Sequence, residues 1–138
     1  MKKNIQLINY SEKEGDCQCG CGAELDHKLL ITLQAFIFSL ERLLDCKVRH
    51  IITSGSRCEA HNKKVGGAKD SQHIKKLAVD GIFQKLENGK WIQIDNEIIA
   101  RHAKDSRLFG GVGYFSYKKQ GKNLVHLDIR PGNMVVMW

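Results

Sequence analysis

Val125-His126-Leu127-Asp128-Ile129-Arg130 alternates apolar and polar side chains residue by residue. Successive side chains of a β-strand point to opposite faces. Val125, Leu127 and Ile129 are therefore predicted to enter a core, and His126, Asp128 and Arg130 to share the other face. A strand buried on one side that carries His and Asp together on its other side is unusual.

The chain around this stretch predicts the partners it needs. Leu29, Leu30, Leu33, Phe36, Ile37, Leu40, Leu43 and Leu44 recur at helical spacing, so residues 26–44 read as a helix with Asp26 as N-cap. Residues 48–53 read as a β-branched strand ending at Ser54-Gly55, and 57–64 as a short helix stopped by Gly66-Gly67. Residues 77–83 read as a strand and 90–94 as its hairpin partner, with Glu87-Asn88-Gly89 as the turn. A helix is predicted over 96–104, a glycine-led strand over 110–115, a polar turn over 117–122 and a last strand over 123–130. One helix followed by short strands and further short helices predicts an α+β domain with a small antiparallel sheet.

At 138 residues, with a single proline and no Pro/Ser-rich linker, the chain reads as one domain, residues 1–138. Its formal charge of +7 favours anionic partners. The basic residues are scattered, with only pairs such as Lys63-Lys64, Lys75-Lys76 and Lys118-Lys119, so a solvated basic surface is the first reading. No run interleaves aromatic and basic residues as single-strand binders do, and no nucleic-acid partner is expected. The glycines at 110, 111 and 113 lack the Gly-Lys-Ser/Thr ending of a phosphate loop and read as close packing beside a cleft. Tyr114, Phe115 and Trp91 read as core or cleft wall. His27, His50, His61 and His102 read as surface or capping residues.

Five cysteines, Cys17, Cys19, Cys21, Cys46 and Cys58, cannot all pair within one chain. Cys17-Gln18-Cys19-Gly20-Cys21 is tighter than the usual C-x2-C knuckle. One or two of these with Cys46 or Cys58 would make a structural zinc site. A reduced, partly buried turn is the reading preferred, with no ligand assigned. Residues 1–6 carry lysines but no apolar run after them, and the most apolar stretch, 29–44, is too short to span a bilayer. A chain made in the cytoplasm, without a membrane span, is expected. Work outside the cell would need release by lysis or delivery by a particle.

Three segments hold the polar residues that need a reason: Ser54-Gly55-Ser56-Arg57, Ser71-Gln72-His73 leading to Asp80, and His126 with Asp128. Each has an ordinary reading alone: His73 in a surface loop, Asp80 in a strand-end turn, His126 and Asp128 on a solvated edge. Together they match a catalytic zinc site, where two His and one carboxylate leave a fourth position open. A nearby carboxylate then handles the proton and an arginine stabilises charge on the attacked carbonyl oxygen.

These motifs carry a resemblance. Ser71, His73, Ala78 and Asp80 match S-x-H followed by A-x-D; Ser54, Gly55 and Arg57 match S-G-x-R; His61, Asn62, Val65, Gly66 and Gly67 match H-N and V-G-G. Gly110, Gly111 and Gly113 match G-G-x-G, and Val125, His126, Asp128 and Arg130 match V-H-x-D-x-R. In order and over nearly the whole chain, the sequence resembles the zinc D-alanyl-D-alanine carboxypeptidase family of murein metallopeptidases. That family shares a fold with lysostaphin-type enzymes and hedgehog signalling domains. Trp138 and the cysteine-glycine run near the start also look like this family.

The resemblance implies Zn2+ held by His73, Asp80 and His126, and a peptidoglycan stem peptide as substrate. It implies that Arg57 binds substrate and helps the oxyanion, with Ser71 and Asn62 supporting the substrate side. Asp128 is implied either as general base or as a group orienting a ligand or Arg57. A monomer is expected. Two positions depart from the pattern: Lys76 stands where the family has glycine, and Asn123 where some relatives place a catalytic acid. If position 76 needs a positive φ, lysine is strained there.

Overall fold

The computed structural model describes residues 9, 10 and 15–138. Residues 1–6, read above for a leader, lie outside the described residues. Along the chain run α1 (His27–Leu44), β1 (Val48–Ser54), α2 (Glu59–Lys64), β2 (Ala78–Glu87) and β3 (Lys90–Gln93). Then follow α3 (Asn96–Ser106), β4 (Gly111–Gly113), α4 (Phe115–Lys119), β5 (Val125–Asp128) and β6 (Val136–Met137). The α+β expectation holds.

α1 forms where the apolar stripe predicts it. The Asp26 carboxylate accepts from the Lys28 N–H at 2.7 Å, satisfying one of the unpaired donors of the first turn. Leu29, Leu30, Leu33, Phe36, Ile37 and Leu40 are buried on one face. They pack on one face of the sheet through Val48, Val79, Phe83, Val112, Val125 and Leu127. Phe36 meets Phe83 and Phe109 edge to face, at 5.5 and 5.2 Å between ring centroids. Each fully buried side chain of this size contributes about 1.5–3 kcal/mol.

The sheet order is β1-β2-β5-β4-β6, with β3 also paired to β2. Among the described residues, all pairings are antiparallel except β4 with β6, which is parallel. The sheet is otherwise antiparallel as expected, and this one edge makes it mixed. After β5 the chain turns at residues 131–134 and returns beside β4 in the same direction, which brings Trp138 back to the strand ends. Trp138 accepts from the Tyr114 and Phe115 N–H groups at 2.7 and 2.9 Å through its carbonyl.

The polar turn predicted over 117–122 is partly helical. Tyr114, at φ −146°, ψ −55°, ends the glycine-led strand early, and α4 follows at once. Trp91 is not core: it sits exposed on β3 with the Arg49 guanidinium 4.3 Å above its ring. His50 is not a surface residue. It is buried, stacked on Phe83 at 4.0 Å, and its Nδ1 lies 2.9 Å from the Tyr10 hydroxyl. Burial pushes its pKa down to about 3, against the opposing pull of Asp80, so it stays neutral.

Candidate metal centre

The alternation of β5 sets up the site. Val125 and Leu127 are fully buried in the core, while His126 and Asp128 face the other way. Asp80 of β2 stands directly opposite His126 in the antiparallel register, and Ala78 opposite Asp128. Opposed residues share a sheet face, so Asp80 and His126 meet: His126 Nδ1 lies 2.8 Å from Asp80 Oδ1. Across the other edge of β5, Gly111 and Gly113 pair with Asp128 and His126. A Cβ at Gly111 would stand 2.4 Å from Asp128 Oδ2, and one at Gly113 2.8 Å from the Tyr117 ring. Glycine there makes room for the site, as expected of close packing beside a cleft.

His73 arrives from the loop before β2. Turns closed by Ile74 N–H to Ser71 O, Lys76 N–H to His73 O and Leu77 N–H to Gln72 O fold this loop back on itself. Its Nε2 lies 3.2 Å from Asp80 Oδ2. Its Nδ1 lies 2.7 Å from the Gly55 carbonyl, which accepts from it and fixes the ring. The Ser71 hydroxyl accepts from the His73 N–H at 3.1 Å. Lys76 has φ +66°, so this turn does require the left-handed region, at the position where the resemblance implies glycine. Lys76→Gly is expected to raise stability by about 0.5–1 kcal/mol, read as a higher Tm at neutral pH. An unchanged or lower Tm would show that the loop relaxes the strain elsewhere.

His73, Asp80 and His126 are all buried, and one donor atom from each lies within 4.8 Å of the others. The donor set fits zinc, and so does the second bond of each imidazole. His73 offers Nε2 while its Nδ1 is held by a carbonyl. His126 offers Nδ1 while its Nε2 is held by Asp128 Oδ2 at 2.7 Å. Metal-binding histidines are oriented in this way. Asp128 has no exposed side-chain surface and is itself anchored: Arg130 donates through Nη2 at 2.6 Å and Nε at 2.9 Å.

The electrostatics follow from these contacts. Burial works against the charge on Asp80, but hydrogen bonds from His126 and His73 outweigh it and hold the carboxyl well below the usual carboxylate range. Asp128 is held low in the same way, with Arg130 and His126 overcoming burial. On His126, burial disfavours the cation, but Asp128 and Asp80 together outweigh it and its pKa is raised.

A cleft of about 650 Å³ opens beside these groups. Arg57 lines it, with Nη2 3.6 Å from Asp80 Oδ2. Ser54 Oγ and Asn62 Oδ1 accept from its Nε and Nη1, each at 3.2 Å. Asn62 is buried and donates to Ala68 O at 2.9 Å, so it ties Arg57 to the Gly66-Gly67 loop. The Asn123 side chain is engaged in an exposed network with Gln93 and Asn96.

Two cleft residues escaped the sequence reading of the site. Tyr117, taken as part of a polar turn, is presented to the cleft by α4. Burial and the charge of Asp80 raise its pKa, so the phenol keeps its proton. Trp138, whose ring lies 5.0 Å from His126 and 5.0 Å from the Arg130 guanidinium, lines the cleft beside Tyr117. Neither carries a local signal, since each reaches the site only through the turn that precedes it. Cys17, Cys19, Cys21 and Cys58 form a second group, and Cys46 stays apart from it.

No curated protein matches the chain. A family model described as peptidase M15 matches residues 8–128, which takes in all three candidate ligands, Arg57 and Asp128. With a match over most of its length, the chain belongs to the peptidase M15 family of zinc-dependent metallopeptidases.

Proposed function

We propose that the chain hydrolyses a peptide bond in the stem peptides of bacterial peptidoglycan, as a D-Ala-D-Ala carboxypeptidase or endopeptidase. The observation that carries this reading is the oriented His73–Asp80–His126 cluster at the wall of an open cleft, with Arg57 beside it. His73, Asp80 and His126 would hold zinc. Bound there, zinc supplies Lewis acidity and a water of lowered pKa.

The chain's own groups do the rest. Arg57, held by Ser54 and Asn62, receives a substrate carbonyl or terminal carboxylate and stabilises charge that grows on the carbonyl oxygen. The protonated Tyr117 hydroxyl offers a second donor across the cleft. Trp138 and Leu124 add apolar lining to the cleft. Asp128, with its oxygens engaged by His126 and Arg130, acts as a positioning group that fixes the Nε2 proton of His126. The positive chain as a whole favours approach to anionic wall polymers. In this reading it reaches the wall after cell lysis or on a particle, as a phage-type lytic enzyme does.

Asp128→Asn separates the two roles left open for this residue. As a positioning group its loss is expected to weaken metal retention and kcat/KM by about 10–100-fold together, read by chelator competition and peptide release. Full metal retention with a fall in kcat of about 10³-fold or more would assign it proton transfer instead.

A second reading is a zinc-bearing binding domain without turnover, of the hedgehog-like kind. It is favoured by Asn123, which stands where the resemblance places a catalytic acid in some relatives, and by the engagement of Asp128. Incubation with purified peptidoglycan distinguishes the two. Chelator-sensitive release of amines, with products identified by mass spectrometry, supports the peptidase. Stoichiometric zinc with no released product supports the binding domain.

A further inference from the structure

The polypeptide at residues 15–25 packs on the loop that leaves β1. The Ser56 N–H donates to Gly15 O at 2.7 Å. A Cβ at Gly55 would stand 2.1 Å from that same oxygen, so the two backbones touch through glycine. This contact sets Cys58, the N-cap of α2, beside Cys17, Cys19 and Cys21. The sulfurs of these four cysteines all lie within 4.8 Å of one another. Cys17 to Cys19 is 3.4 Å, Cys19 to Cys58 is 3.6 Å and Cys17 to Cys58 is 3.9 Å.

Those separations have a chemical meaning. Four sulfurs at ~2.3 Å from a tetrahedral zinc stand about 3.8 Å apart. A disulfide needs about 2.05 Å, and all four cysteines are free thiols. Alternate residues of an extended strand are roughly 6.6 Å apart, so a C-x-C-x-C run does not converge by itself. Here it is wrapped. Cys17 N–H donates to Ala23 O at 2.8 Å and Gly20 N–H to Cys17 O at 3.1 Å. Gly20 and Gly22 take φ +82° and +86° to make the bend. Two backbone donors also point at sulfur: Cys58 N–H to Cys17 Sγ at 3.4 Å, and His61 N–H to Cys58 Sγ at 3.3 Å. Such donors stabilise thiolate charge.

We propose that Cys17, Cys19, Cys21 and Cys58 hold a structural zinc ion, separate from the His73–Asp80–His126 centre. Binding releases the thiol protons, because thiolates are the ligands. Four sulfurs close the tetrahedron, so no position is left for water and the site is structural rather than catalytic. Its effect reaches the cleft through neighbours: Cys58 follows Arg57, and Gly55, which packs on Gly15, orients His73 through its carbonyl. The ion fastens residues 15–25 to the loop that positions both.

The test is metal analysis of the full chain purified without chelator, comparing wild type, Cys19→Ser/Cys58→Ser and His126→Ala. The expected result is about two zinc ions per chain in wild type and about one in each variant. Cobalt exchanged into His126→Ala should show an intense thiolate-to-cobalt charge-transfer band. In folded wild type, the four thiols should react with a thiol reagent only after metal is displaced. These last two readings need no cysteine substitution and stand if the double variant fails to fold. A single zinc that His126→Ala removes, with the four thiols freely reactive or found as disulfides, would overturn the proposal. Since His126→Ala spares the cysteines, failure of one site is distinguishable from failure of the other.

Discussion

His126→Ala is expected to remove the zinc of the histidine centre and to lower kcat/KM on peptidoglycan peptides by about 10³-fold or more, roughly 4 kcal/mol of transition-state stabilisation. The size follows from the position of this ring. Its two nitrogens meet Asp80 and Asp128 at 2.8 and 2.7 Å, so its removal takes away a ligand and strips both carboxylates of a partner. Two buried carboxylates then lie close together without the imidazole between them, which weakens the folded state as well. Asp128 keeps Arg130, which limits that cost. Equal metal content and equal products in wild type and variant would refute the assignment of the centre. A Tm measured beside the assay separates lost chemistry from lost fold.

Arg57→Ala carries the second largest effect. A fall in kcat of about 10²–10³-fold is expected, with zinc at the histidine centre retained. Arg57 is only partly buried, and its guanidinium faces the cleft while Ser54 and Asn62 hold its Nε and Nη1. A donor held in place in this way acts on charge that develops in the reaction. Arg57→Lys should recover little, because one ammonium cannot satisfy Ser54, Asn62 and substrate in the planar geometry of the guanidinium. Loss of zinc in Arg57→Ala would instead make its contact with Asp80 a support for the metal. Unchanged kcat would remove it from the catalytic reading.

The strand 125–128 shows why so much of the centre was legible. Its alternation assigns faces before any partner is known, and the separation of core from cleft follows from the strand period alone. The stripe of α1 and the Asp26 cap are equally local signals, set by helical spacing. The strain at Lys76 also came from one position, since a departure from glycine raises the question of a positive φ and the observed +66° answers it.

Other features depend on chain reversals that no local period encodes. The parallel β6 edge follows from the turn after β5, and only that return brings Trp138 to His126. Tyr117 reaches the cleft because Tyr114 breaks the strand and α4 begins. The sulfur cluster depends on the Gly15–Gly55 contact, which joins segments about forty residues apart. By itself the sequence determined which residues have metal-binding chemistry, which face of β5 they occupy, and that an α+β core carries them. The tertiary structure decided which of them meet, how each imidazole is oriented, and that Arg130, not Arg57, anchors Asp128. The physical reason is range: side-chain periodicity is a property of neighbouring residues, whereas coordination and orientation are set by contacts between distant segments that only packing brings together.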